Sequence, residues 1–488
     1  MKTIRELAGS GSARRFNAVA GAQLTIYQTL LSRGYFPKEF PPAFFTEQFA
    51  RYSTTKLGRS ALLAYKPAEN FTECFKFHIG LPGLDRRELR IPHPFSFAKL
   101  AQLTSKNFSR LLRAASRSTL SRSRPVYATD RQRAIQPMVR PANLARERVA
   151  ARAGSRFLLR ADVSQFYPSL YTHAVGWALD PKLRKRANWQ NKALLGKNVD
   201  QLLMDLDGKL SQGIPVGNDI SFLLAEVVLA QVDRELGVEP RRAYRWFDDY
   251  ELAFDTRAEA EMALKKLSNE LGRFQLRNPK KTMVVALPHL AADDWQAKLS
   301  EAGARGLDSP EEMLSYFDMA FSVRAQFPDS PVLTFALGRL FNVRRPGVDT
   351  GAVAQSCTTQ SLLSEPGTAL RGFSLLTFWQ LNGLSLDSEL LRRTIVQMIL
   401  GQESSGFTSD VAWALAFCLQ QRISLGEEAA QVLSEFGDDC STLLALHMRK
   451  EGLLSRGFII RRINAKLKTT DLDRDHWLIT YESVRQGF

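Results

Sequence analysis

Residues 243–254 read Ala243-Tyr244-Arg245-Trp246-Phe247-Asp248-Asp249-Tyr250-Glu251-Leu252-Ala253-Phe254. Two β-prone runs flank a pair of acids, the pattern of a hairpin with carboxylates at its tip. Adjacent carboxylates on a turn repel unless a cation or water screens them, and an ordinary acidic turn looks the same in isolation. Asp162 changes the balance. It ends the apolar run Phe157–Val163 and is followed by Phe166-Tyr167-Pro168-Ser169. A strand-borne Asp162 and a hairpin Asp248, 86 positions apart, converge if their strands are neighbours in one sheet. Two or three carboxylates so placed suit paired Mg²⁺ ions, because magnesium is held by a few carboxylates plus substrate phosphates rather than by a full protein cage. Two metals about 4 Å apart can stabilise the attacking and leaving oxygens of a phosphoryl displacement.

Working outward, Gln212-Gly213-Ile214-Pro215-Val216-Gly217 opens an apolar helix from Ile220. Its glycines allow close backbone approach to a ligand, and a helix start favours phosphate. Most such loop-to-helix turns are nonetheless structural. Beyond the hairpin lies Leu276-Arg277-Asn278-Pro279-Lys280-Lys281-Thr282, where a lysine can reach a triphosphate or protonate a leaving pyrophosphate. Strand candidates at 157–163, 242–247 and 252–254 alternate with helix candidates at 220–236 and 258–271, which predicts an α+β core with an antiparallel sheet. Residues 1–60 read as helical, with a stripe through Ala20, Leu24, Tyr27, Leu30 and Leu31, broken by the Pro-rich stretch 35–42. Residues 85–140 read as a basic, partly β subdomain. From about Ser309 the pattern becomes helical, with amphipathic segments at 311–327, 374–381, 388–400, 410–421 and 427–436, as in a degenerate solenoid. The implied organisation is a basic N-terminal region (1–155), a central α+β domain (156–295) and a helical domain (300–488), with a boundary near 295–310.

Composition narrows the class. The 488 residues are 44% hydrophobic and include 30 Phe, which excludes a disordered chain. The four cysteines form no C-x-x-C pair, which argues against a disulfide scaffold or a cysteine zinc site and suits a reducing compartment. No apolar run of 18 residues and no signal-peptide pattern is found, so a cytoplasmic protein without membrane contact is expected. Of the formal +16 charge, residues 1–160 hold 29 Lys and Arg against 9 Asp and Glu, whereas the remainder is slightly acidic. That asymmetry points to an anionic partner, most simply nucleic acid or nucleotide phosphates, or to a solvated basic face.

The order of these segments resembles the palm of a reverse transcriptase. Asp162 with its aromatic follow-on resembles motif A, Gln212–Gly217 motif B, Phe247-Asp248-Asp249 the YxDD box of motif C, and Asn278-Pro279-Lys280-Lys281-Thr282 motif D, all within about 120 residues. The box carries Trp246 in place of the usual Tyr. Motif B continues through Asn218-Asp219-Ile220-Ser221 to Glu226, and motif A through Leu170-Tyr171-Thr172-His173. Altogether the chain resembles the Abi (abortive-infection, AbiK-like, prophage-encoded) polymerases.

The resemblance implies a right-hand palm and fingers followed by a HEAT-like helical domain. It also implies template-independent, protein-primed DNA synthesis, with the single-stranded product covalently attached, in a homo-oligomer that arrests phage propagation in bacteria. By that resemblance Asp162, Asp248 and the main-chain carbonyl of Val163 would bind two Mg²⁺ ions, with Mn²⁺ able to substitute, and Asp249 is a third carboxylate. Tyr167 is the steric gate that selects dNTPs. Gln212 and Gly213 line the nucleotide or primer end, Lys281 is the motif D lysine, and Arg131, Arg133 and Arg140 are triphosphate clamps or generic basic surface. The priming hydroxyl is not assignable; Tyr27, Tyr35, Tyr52 and Tyr65 lie in the N-terminal region. Two other readings stand beside this one: an RNA-templated reverse transcriptase of a retron-like or other defence system, and a non-catalytic nucleic-acid-binding protein on a palm-like fold. Intact Asp162, Asp248 and Asp249 argue against the last.

Overall fold

The computed structural model describes residues 25–66, 72–84, 86–128, 133–140, 143–277, 282–286, 294–303, 306–401, 408–435, 437–455, 457 and 476–486. Its first part runs α1 (Ile26–Arg33), α2 (Glu47–Tyr52), α3 (Lys56–Ala64), β1 (Phe75–Gly80), β2 (Arg86–Ile91), α4 (Pro94–Lys106), α5 (Phe108–Ala115), β3 (Pro125–Tyr127), β4 (Ile135–Pro137) and α6 (Leu144–Arg152). The central part follows as β5 (Phe157–Ala161), α7 (Phe166–Ser169), α8 (Thr172–Leu179), α9 (Leu195–Met204), α10 (Asp219–Leu236), β6 (Ala243–Trp246), β7 (Asp249–Phe254), α11 (Arg257–Gly272) and β8 (Met283–Ala286). The remainder is helical: α12 (Asp294–Ala302), α13 (Pro310–Gln326), α14 (Val332–Arg339), α15 (Val348–Ser364), α16 (Ala369–Leu381), α17 (Ser388–Gly401), α18 (Thr408–Gln421), α19 (Glu427–Glu435), α20 (Asp439–Lys450) and α21 (Trp477–Gln486).

Helix starts follow the local chemistry. Thr25 with Gln28, Thr256 with Glu259 and Ser309 with Glu312 each form a reciprocal capping box at α1, α11 and α13, and Pro310 occupies the first turn of α13 where its missing N–H costs nothing. Asn218 caps α10 by accepting from the Ser221 N–H at 2.8 Å. The expected helical run at the N-terminus is shorter than its apolar stripe suggested; Ala20 and Leu24 lie outside the described residues, and α1 ends before the proline stretch.

The central sheet is antiparallel in the order β6-β7-β5-β8. Helix α10 is the spine of the molecule, buried along nearly its whole length and packed against α5, α8 and α11. A helix apolar all round belongs inside, and this one also carries the buried acids Glu226 and Asp233. Helices α13 to α20 stack in two rows: α13-α15-α17-α19 form one layer, α14-α16-α18-α20 the other. Helix α12 packs on α13 and α14, so the stack begins before residue 300. The second row returns to the N-terminal part, where α18 lies against β1, the Thr408 hydroxyl accepts from the His78 N–H (3.0 Å) and the Trp413 indole donates to the Glu39 carbonyl (2.8 Å). All four cysteines are buried and unbridged. No described helix is long and apolar enough to cross a membrane.

Candidate active site

The carboxylates meet through strand register. Ala161 pairs with Tyr250 across β5 and β7, and Trp246 pairs with Asp249 across the hairpin. Asp162 therefore leaves β5 beside the residue where Asp249 enters β7, and Asp248 sits in the connecting turn. The expected hairpin is present, with one adjustment: only Asp248 is at the tip, because main-chain pairing draws Asp249 into the strand.

The turn is held from below. Phe247 has φ of 54°, a left-handed conformation that costs a bulky residue energy and persists only when its surroundings fix it. Its carbonyl accepts from Arg245 Nη1 at 2.5 Å, and its N–H donates to Ser123 Oγ at 2.8 Å. Arg245 is fully buried. It bonds both Glu226 oxygens (3.0 Å each) and Asp233 (2.8 Å), with its guanidinium over the Tyr250 ring. Ser121 and Ser123 donate to Glu226, and Ser118 and the Tyr250 hydroxyl donate to Asp233. Burial disfavours the Arg245 charge, but Asp233 and Glu226 outweigh it and hold its pKa well above the ordinary value. This network was missed in the sequence, where Arg245 looks like any strand residue. The available signal was Glu226 and Asp233, seven apart and so on one face of an otherwise apolar helix.

A second segment closes the site from the side. The Gly213 N–H donates to the Leu170 carbonyl (3.0 Å), the Ile214 N–H donates to the Tyr167 carbonyl (3.1 Å), and Gln212 bridges to Tyr171. Gly213 has φ of 87°, and a Cβ there would lie 3.1 Å from the Pro168 carbonyl oxygen, so glycine is required. The Arg90 N–H donates to the Val216 carbonyl (3.2 Å), which seats strand β2 on the same loop. The fold thus gathers Asp162, Val163, Tyr167, Gln212, Gly213, Asp248 and Asp249.

The electrostatics is that of crowded anions. Asp248 is pushed up to about 6 by burial, then by Asp249 and Asp162. Asp249 is raised by burial and then by Asp162. The Tyr167 hydroxyl is raised by burial, with Glu226 and Asp248 adding to it, so it stays protonated. Arg87, on β2, opposes the shifts at both Asp248 and Tyr167, which places a cation near the cluster that sequence reasoning had not singled out. Among the described residues, no group of three or more His, Cys, Asp and Glu side chains forms a ready-made metal cage. The donor set is nonetheless of the right kind: mutually repelling carboxylate oxygens are hard ligands, and Mg²⁺ ordinarily keeps several waters and relies on substrate phosphates.

Other expected residues fall elsewhere. Arg133 is engaged at the start of α10, bonding the Asp219 carboxylate and the carbonyls of Phe36 and Gly217; Asp219 is buried and needs that partner. Arg140 is exposed. Arg131 and Lys281 lie outside the described residues. Tyr35, among the tyrosines considered for priming, is buried with its hydroxyl donated to the Pro92 carbonyl.

No protein-family model and no curated relative matches the chain. Among solved structures it is similar to apo telomerase from Candida tropicalis, at 10% identity and a TM-score of 0.33, over 76% of this chain and 74% of that one.

Proposed function

We propose that the chain is a nucleotidyltransferase of the reverse-transcriptase type, adding dNTPs to a hydroxyl end at the Asp162–Asp248–Asp249 cluster. The observation that carries this reading is the register that sets Asp162 beside the Asp248-Asp249 turn, with Gln212-Gly213 docked on the turn after Asp162. Asp162, Asp248 and the Val163 carbonyl are the groups that would hold two Mg²⁺ ions, which when bound neutralise charge on the phosphates and on the attacking and leaving oxygens. The chain's own task is positioning. Arg245 and Ser123 fix the turn, Asp248 and Asp249 present the carboxylates, and the Tyr167 ring closes the floor where a ribose 2′-hydroxyl would fall. Arg87, an exposed cation on β2 whose charge is felt at Asp248 and Tyr167, is a partner for incoming phosphate.

The finer reading is an Abi-type polymerase, untemplated and protein-primed, cytoplasmic and homo-oligomeric. The order of the motif-like segments and the two-row helical stack after the central domain support it. The basic N-terminal third suits a nucleic-acid strand under this reading and equally under the alternative, an RNA-templated enzyme of a defence system.

The test is incubation with Mg²⁺ and labelled dNTPs, without template or primer, followed by denaturing gels before and after protease. Label that migrates with the protein and is released by protease is the expected result. Asp248→Ala should lower incorporation by about a thousandfold or more, as loss of a charge-positioning group in a catalytic centre does. Incorporation only when RNA and a primer are supplied selects the templated alternative. No incorporation under either condition overturns the assignment.

A further inference from the structure

Outside the N-terminal third the chain is slightly acidic, yet residues 181–199 carry six Lys and Arg and no Asp or Glu. Lys182, Arg184, Lys185, Arg186 and Lys192 are exposed on the connection between α8 and α9. The neighbouring Asp180 is already taken by Arg110 at 2.6 Å and by the Gly196 N–H. The Arg184 guanidinium lies over the Trp177 and Phe274 rings and donates to the Arg273 carbonyl (3.2 Å), so two arginines crowd together there.

Beside this charge runs a row of partly exposed rings: Trp177 to Tyr171 (centroids 5.9 Å apart), Tyr171 to His173 (4.5 Å) and His173 to Trp189 (4.8 Å). His173 is oriented by Asp200 at 2.7 Å. The row does not wander off over the surface. Tyr171 bridges to Gln212, and at the other edge the Ser164 N–H donates to the Arg277 carbonyl, two residues past Asp162 (3.0 Å).

We propose that this strip of rings and cations, from Tyr171 and Arg277 out to Trp189 and Lys192, is a track for a single-stranded polynucleotide passing to or from the candidate site. The proposal rests on the nucleotidyl-transfer reading above and names a surface for its polymer. Phosphates meet the ammonium and guanidinium groups, and unpaired bases stack on the rings, an interaction open to every base. A duplex keeps its bases stacked on one another and has less use for exposed rings.

The test is fluorescence anisotropy with the full chain, in EDTA and without dNTPs so that no chemistry intervenes, using labelled 20-mers of oligo-dT, oligo-rU and a DNA duplex. The triple variant Lys185→Glu/Arg186→Glu/Lys192→Glu should bind single strands at least about tenfold more weakly, with the log–log salt slope shallower by about 2, three charges at about 0.7 each. Trp189→Ala should lose about fivefold or more, and Trp189→Phe should regain most of it, while thermal melting confirms that each variant is folded. A loss confined to oligo-dT assigns the track to a DNA product, one confined to oligo-rU to an RNA template, and an equal loss to either strand; each supports the track. Unchanged single-strand affinity, or a duplex weakened as much as the single strands, overturns it. A wild-type chain that binds oligonucleotides through this strip but incorporates no dNTP sinks the nucleotidyl-transfer reading and leaves the track standing.

Discussion

The α+β part and the helical stack both bury acids, and they settle them in different ways. In the stack, Glu365 accepts from the Leu333 and Thr334 N–H groups and the Thr334 hydroxyl, all at 2.9 Å, Asp410 accepts from the Gly367 N–H, and Asp438 caps α20 through the Ser441 N–H. These carboxylates mainly serve backbone N–H groups, although Glu365 also has Arg324 beside it at 3.3 Å. Beneath the sheet, Glu226 and Asp233 are neutralised by Arg245 and four hydroxyls. At the hairpin turn a third arrangement appears, in which burial raises the pKa values of Asp248 and Asp249, as it does those of Asp410 and Asp438, but the charges of neighbouring acids add to it: Asp249 and Asp162 at Asp248, and Asp162 at Asp249. Acids with dedicated donors hold the fold together, whereas acids crowded against each other hold charge in readiness for something that arrives from outside.

The sharpest way to break this distinction is Arg245→Met. Removing the guanidinium that bonds both acids leaves Glu226 and Asp233 buried without that counter-charge, at a cost of about 3–5 kcal/mol in urea unfolding. Adding Glu226→Gln and Asp233→Asn should restore much of the stability but not the bond to the Phe247 carbonyl, so dNTP incorporation should stay low. Full recovery of incorporation in the triple variant would make Arg245 purely structural. Next in size, Glu365→Ala strips three donors of their acceptor and should lower stability by about 1–3 kcal/mol, with incorporation per folded molecule unchanged.

The smallest effect is a pH slope. Asp248 and Asp410 are both raised to about 6 from an ordinary 3.8, so the folded chain holds these protons more tightly than the unfolded chain. Their contribution to stability is full below about 4 and is lost as pH rises through about 6. Asp248→Asn and Asp410→Asn should each flatten part of that decline in melting temperature. Millimolar Mg²⁺ should flatten only the share that belongs to Asp248, and an equal response at Asp410 would erase the difference between the two regions.

Strands β5, β6 and the later part of β7 were legible because short apolar runs and turn residues punctuate them, and α10 was legible because its apolar run is long, whereas β8 and the order of the sheet were not. The start of β7 was less so, since Asp is a poor strand former and only pairing with Trp246 draws Asp249 in. In the helical part, the periodicity located α13, α16, α17, α18 and α19 but not α12, α14, α15, α20 or α21, nor the two rows, which depend on contacts between alternate helices. Among the site residues, the aspartates stood out by type and spacing. The function of Arg133 did not, because a basic residue in a basic region carries no mark that its partner is the buried Asp219. Arg87 and Arg245 acquire their roles only through distant chain segments.

The return of the second helical row to the N-terminal part sets the order in which the protein can be finished. His78 waits for Thr408, Glu39 for Trp413, and the Phe36 ring for Tyr481, whose centroid lies 6.3 Å away. Residues 36–78 therefore complete their packing only after segments more than 300 positions later in the chain are made. At typical synthesis rates of about 5–20 residues per second, strand β1 stands uncovered on its outer face for tens of seconds. A chain interrupted before α18 would carry its whole carboxylate cluster and yet lack the support behind β1, the strand paired with β2, whose Arg90 N–H holds the Gln212–Gly217 loop.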